Sequence, residues 1–437
     1  MLPVASSSHF LMQEAKALLT RLDRVQPFSS TMPSTSSAAL PRAAFSRIEQ
    51  QLIHERRQLR QRVLAYMQWL RSPEGQRAPT THQQRRFTLL RMMFNAALDQ
   101  VDIFADVLNQ RSEGEAGSWL SGLDVAAAEA LTLSDRFFDP PPLITYLDRG
   151  HGAAIRRART RLPGGGPNPV AIIRLPRERM VGSAIGSSLV HEVGHQGAAL
   201  LDLVPSLRAM MQPVIRRAGA AAPAWVLWDR WISEIVADYW SVGKLGIASS
   251  LGLIGVLSLP RAFVFRIALD DPHPVPWVRA RLSCAMGHAL YPDPQWLRLS
   301  ELWQELYPAA DLSERQLRLL RLLESTMPEL VARLLDHRPA ALWGKSLREV
   351  MPLAVRRPAR LRAVLRTFRA SPRRMCSAPP TLVMAVLGQG RWDGAVSPEF
   401  ESNTLARLLG HWALRRALPG ERLATECGQA LSLASAA

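Results

Sequence analysis

Two histidines four residues apart, His191 and His195, stand in the stretch Leu189-Val190-His191-Glu192-Val193-Gly194-His195-Gln196, an apolar run of helical character. Positions i and i+4 share one face of a helix, so both imidazoles can present a nitrogen to the same metal ion. Glu192 lies about 100° round the helix from His191. That places it beside the metal and not on it, where a carboxylate can take a proton from a bound water. Five-letter patterns recur by chance, so a third ligand decides whether this one is a site.

Two continuations can be tested on the sequence. The metzincin pattern needs Gly three residues and His six residues after the second His, and Ala198 and Leu201 stand there instead. The gluzincin pattern needs a second helix carrying Glu-x-x-x-Asp, and the run Trp231-Ile232-Ser233-Glu234-Ile235-Val236-Ala237-Asp238-Tyr239-Trp240 supplies Glu234 and Asp238 on one face. Glu234 would complete a 2-His-1-carboxylate set for one Zn2+ per chain and leave the fourth tetrahedral position to water. Asp238, one turn along, would accept the outer N–H of a ligand imidazole. Unpaired carboxylates are costly among Trp, Ile, Val and Tyr, which argues that both are engaged.

A third stretch, Asp271-Pro272-His273-Pro274-Val275-Pro276-Trp277-Val278-Arg279, reads as a proline-rich turn running into a helix. In order and spacing, HExxH, then ExxxD, then His-Pro with Arg six residues after the His resembles the gluzincin family that contains the CAAX prenyl endopeptidases, the bacterial heat-shock membrane protease and their soluble relatives. The resemblance covers about residues 165–290. It implies a zincin-like core with zinc ligands His191, His195 and Glu234, general base Glu192, supporting Asp238, and His273 and Arg279 facing the cleft. It also implies a zinc-dependent endopeptidase acting on a peptide or protein substrate. The bland alternatives are a turn residue for His273 and a helix-surface charge for Arg279. The competing function is a catalytically silent, peptidase-like binding or scaffold protein; the presence of the base Glu192 favours hydrolysis.

At 437 residues, 47% hydrophobic and 21% charged, the chain is globular in composition and long enough for two or three domains. Its formal charge of +17 is carried by arginine, with only Lys16, Lys244 and Lys345 as lysines. The arginines are scattered and no nucleic-acid motif accompanies them, so no specific nucleic-acid partner is expected. Cys284, Cys376 and Cys427 are odd in number and lack CxxC spacing. Neither a disulfide framework nor a cysteine metal site is expected, and cysteine substitutions should leave metal content unchanged. Residues 1–9 lack a basic stretch followed by an apolar one, and the apolar run 245–259 is shorter than the roughly 20 residues a membrane span needs. A cytoplasmic protein without a transmembrane helix is the expectation, unlike the membrane-embedded branch of the family.

The expected architecture is mainly α with a small β-sheet (α+β). Residues 1–44, rich in Ser, Thr and Pro over 27–37, read as a flexible lead. Residues 45–135 form a helical region, with helices over 45–71 and 84–110. Residues 136–292 form the catalytic domain, with strands at 143–147 and 170–175, the latter with an edge for an extended peptide. Trp225, Trp228, Trp231 and Trp240 are read as core. Residues 293–437 form helices that would cap the domain or dock a protein partner, one of them starting at a Ser313–Gln316 capping box.

Overall fold

The structure, a computed structural model, describes residues 6–418 apart from Pro33, Glu113, His151 and Leu269, together with Cys427, Gly428 and Leu431. It is mainly α-helical with one small sheet. The sheet has strands β1 (Leu143–Asp148), β2 (Ala154–Arg156) and β3 (Ala171–Pro176) in the order β1-β3-β2. β1 runs parallel to β3 and β2 antiparallel to it, with Ile144 opposite Ile172 and Ile155 opposite Ile173. β3 is therefore central and both its edges are paired, so the expected peptide-binding edge on this strand is absent. The outer edges belong to β1 and the three-residue β2, which single-chain periodicity is too short to reveal.

The expected flexible lead is corrected. Ser7–Arg24 is a helix capped by the Ser6 side chain, and its Leu11, Ala15, Leu18 and Leu22 recur at helical spacing. These four bury against helices Arg42–Arg71 and Thr80–Asn109. Even the Ser/Pro-rich run is anchored, by Phe28, Ala38 and Leu40. Composition alone hides an apolar stripe that the spacing carries.

Helix Gly114–Leu131, from Leu120 onward, belongs to the same apolar core as the sheet and the two motif helices. That core continues through Trp296, Trp303, Leu323, Val386 and Trp412, so the segment after residue 292 has no separate core. Its helices include Glu314–Asp336, opened by the Ser313–Gln316 capping box and running through Pro328. All four tryptophans read as core are buried; Trp228 donates to Thr326 Oγ1 at 2.9 Å and Trp240 to the Ala130 carbonyl at 2.9 Å.

Cys376 and Cys427 form a disulfide across 51 residues, contrary to the expectation from their spacing. Distant cysteines meet only through tertiary packing, which no local pattern records. Cys284 is free and buried. No single described helix is long and apolar enough to cross a membrane; the pair Ser183–Leu200 and Leu203–Arg217 passes by length and composition only together, bent by 76°.

The HExxH segment lies on helix Ser183–Leu200 (the His helix) and the ExxxD segment on helix Ala222–Leu245 (the Glu helix), packed against each other. Gly194, inside the HExxH, sits at their closest approach: a Cβ there would lie 2.9 Å from Ala237 Cα and from Trp240 Cβ. Only a residue without a side chain lets these backbones approach closely enough for imidazoles and carboxylate to meet. Gly194→Val is expected to lower stability by about 1–3 kcal/mol through overpacking and to weaken metal binding. Melting temperature and metal titration would check it, and wild-type values in both would place the close approach elsewhere.

Candidate metal centre

The His helix follows β3 and a short turn, and starts at Gly182, whose φ of 52° favours glycine. Its first residue is tied to the far end of the chain: Ser183 Oγ donates to Glu401 Oε1 at 2.5 Å, and Arg391 Nη1 to Glu401 Oε2 at 3.1 Å. A buried carboxylate at this end also suits the positive pole of the helix dipole. Helix Pro276–Leu290 (the Arg helix) completes the site, entered through the proline-rich turn that carries His273.

The three expected ligands are brought together. His191 and His195 present rings 4.9 Å apart between centroids and nearly perpendicular, at 88°. His191 Nε2 lies 3.2 Å from Glu234 Oε2 and His195 Nε2 lies 3.3 Å from Glu234 Oε1, with all three donor atoms within 4.8 Å of one another. Glu234 Oε2 is buried and makes no aligned hydrogen bond, although His191 Nε2 and His273 Nε2 each lie 3.2 Å away. A buried carboxylate oxygen facing two ring nitrogens without an aligned N–H keeps an unused acceptor that a cation held between these groups would engage. Two imidazoles and a carboxylate are a zinc donor set.

Asp238 stands behind the ligands, its Oδ1 2.8 Å from His191 Nδ1 though short of full hydrogen-bond alignment. Arg279 grips the same carboxylate with two bonds, Nε to Oδ2 at 2.7 Å and Nη2 to Oδ1 at 2.9 Å, and reaches Glu234 Oε2 at 3.6 Å. Arg279, expected to face the cleft, is turned onto these two carboxylates. Its side chain is about 10% exposed and its fork is committed to the two carboxylates. The sequence placed Arg279 one turn into a helix, but only the packing of that helix shows where its guanidinium goes.

His273 does lie at the open side. Its side chain is 47% exposed and its Nε2 meets Glu234 Oε2. Asp271 holds it from behind: Asp271 Oδ1 is 2.8 Å from His273 Nδ1 and accepts the His273 backbone N–H at 2.9 Å. Sequence reasoning missed Asp271 as this orienting group, though an Asp two residues before a His in a turn is the signal of an Asx turn. Ser233 Oγ, 3.5 Å from His195 Nδ1, touches the second ligand from the Glu helix.

The electrostatics follow from burial against pairing. Burial opposes ionisation of Glu234, yet contacts with His191, His195 and His273 hold it well below the usual carboxylate range. Burial likewise acts against Asp238, but Arg279 and His191 bring it down to about 2. Burial favours a neutral His191, and Asp238 with Glu234 outweigh it, raising the ring to about 9. Glu192 is buried, and that burial raises its pKa while His191 and His195 oppose the rise. A carboxylate with a raised pKa is a better proton acceptor.

No family model, curated protein or solved structure matches this chain. The site therefore rests on its own geometry. Arg279→Met keeps length and removes charge, leaving two buried carboxylates short of a partner. It is expected to destabilise the protein by about 3–5 kcal/mol and to lower its zinc content. Unchanged denaturant unfolding would show that the pairing of Arg279 with the two carboxylates does not stabilise the fold.

Proposed function

We propose that this chain is a zinc-dependent endopeptidase of the gluzincin type, with zinc held by His191, His195 and Glu234. The observation that carries the proposal is the meeting of three ligand atoms within 4.8 Å with a buried glutamate, Glu192, next in sequence to one of them. The order HExxH, ExxxD, His-Pro-x4-Arg supports the same family, by its resemblance to the CAAX prenyl endopeptidases and the heat-shock membrane protease.

A zinc ion in that place supplies an acidified water, with a pKa near about 7, and a polarised carbonyl. The rest is the chain's own work. Glu192 takes the proton of the attacking water and passes it to the departing amine. Asp238, held in turn by Arg279, fixes the His191 ring so that Nε2 faces the centre. His273, oriented by Asp271 and lying against Glu234 Oε2, would be the donor that meets negative charge growing on the former carbonyl oxygen. β2 is an edge strand that touches the His helix, so its free edge is the place where an extended peptide would pair and lie across the cleft. The substrate is a peptide or protein. The C-terminal helices place much apolar surface in the core, so a protein partner there would read their outer faces. We also propose a cytoplasmic location, a reducing compartment in which the Cys376–Cys427 pair would be held as thiols.

Glu192→Gln keeps size and polarity while removing the base. It is expected to hold zinc at wild-type occupancy and to lose peptide turnover. His273→Ala is expected to keep zinc and fold while kcat falls by about 10²-fold, the size of one lost oxyanion donor. Metal analysis with cleavage of a peptide library measures both. Hydrolysis undiminished in Glu192→Gln would overturn the mechanism, and zinc-loaded wild type without turnover on any peptide would favour the binding-protein reading.

A further inference from the structure

A second cluster with ligand chemistry shares no residue with the first. Cys376 on helix Pro372–Ser377, His411 on helix Pro398–Ala417, and Cys427 bring two sulfurs and a ring nitrogen within 4.8 Å of one another. The two cysteines are joined as a disulfide, with Cα atoms 6.4 Å apart. His411 is buried, and its Nε2 lies 3.2 Å from the Cys376 carbonyl oxygen. A carbonyl only accepts, so Nε2 carries the proton and the lone pair is on Nδ1. That bond to a backbone carbonyl fixes the tautomer and leaves Nδ1 as the ring nitrogen able to take a metal.

We propose that reduction of the Cys376–Cys427 bond turns these three residues into a second zinc site, of Cys2His type. Zn–S bonds of about 2.3 Å in tetrahedral geometry put two sulfurs roughly 3.8 Å apart. Side-chain rotation supplies that opening with the backbones kept near their present separation. Two thiolates and Zn2+ sum to zero charge, so the buried setting of Cys376 and His411 is met without an unpaired ion. The step balances. A dithiol reductant gives two electrons and two protons and leaves as its own disulfide, the Sγ–Sγ bond becomes two thiols, and zinc displaces both protons to solvent. The tie between Cys376 and the segment carrying Cys427 and the buried Leu431 then persists in either redox state, covalent when oxidised and metal-mediated when reduced. This revises the expectation that cysteine substitutions leave metal content unchanged.

The test uses the full-length chain carrying Cys284→Ser, so that only this pair can supply thiolate. Metal-free protein, oxidised or reduced with a phosphine, is incubated with zinc, gel-filtered, and assayed for metal and free thiols. Reduction is expected to add one zinc per chain, and to do so equally when His195→Ala has removed the first site, so the increment stands whatever becomes of that site. Cys376→Ser should abolish the increment, and His411→Ala should weaken it by at least about 10-fold. Cobalt bound to the reduced protein should show thiolate-to-metal charge-transfer absorption, which a His2Glu set lacks. Reduced protein with titratable thiols that binds no more zinc than the oxidised form, or cobalt binding without the thiolate band, overturns the proposal.

Discussion

Carboxylates stay ionised in an apolar core only when their charge is met. Glu234 and Asp238 stand on a helix whose other residues include the buried Trp231, Ile235, Val236 and Tyr239, so meeting that charge constrains everything around them. The His helix answers with two imidazoles and the Arg helix with one guanidinium. Gly194 lets the first pair of helices close, and Val278 and Ala280, on either side of Arg279, seat the third in the same core. The site is the point at which three helices neutralise one another.

The balance also explains how a cation can enter. Glu234 and Asp238 flank the His191 ring and raise its pKa against the pull of burial, so the pocket favours positive charge there. A divalent ion bound by these groups would meet a place already organised for positive charge. Arg279 grips the Asp238 carboxylate that faces His191 and reaches Glu234 Oε2, so one guanidinium holds both acids beside the ring.

Much of this was legible in the sequence, for a physical reason. Ligands four residues apart on one helix need only local geometry, so His191 with His195 and Glu234 with Asp238 could be paired by spacing. Arg279 could not be placed, because its partner lies 41 residues away on another helix. Helix Gly114–Leu131, rich in Ala and Gly and largely buried, has no polar face to set a period. β2 exists because β3 pairs with it, and the Cys376–Cys427 bond because the C-terminal helices fold back. The helix Ser7–Arg24 was readable from Leu11, Ala15, Leu18 and Leu22, and was obscured by the Ser- and Pro-rich run after it.

The most direct test is X-ray absorption at the zinc edge on the oxidised, zinc-loaded protein, where Cys376 and Cys427 cannot ligate. Two imidazole nitrogens and one carboxylate at about 2.0–2.2 Å, an open position taken by water, and no sulfur is the expected first shell. Oxidised protein that retains no zinc, or a first shell lacking the imidazole signature, would contradict the assignment of His191, His195 and Glu234 as a metal centre.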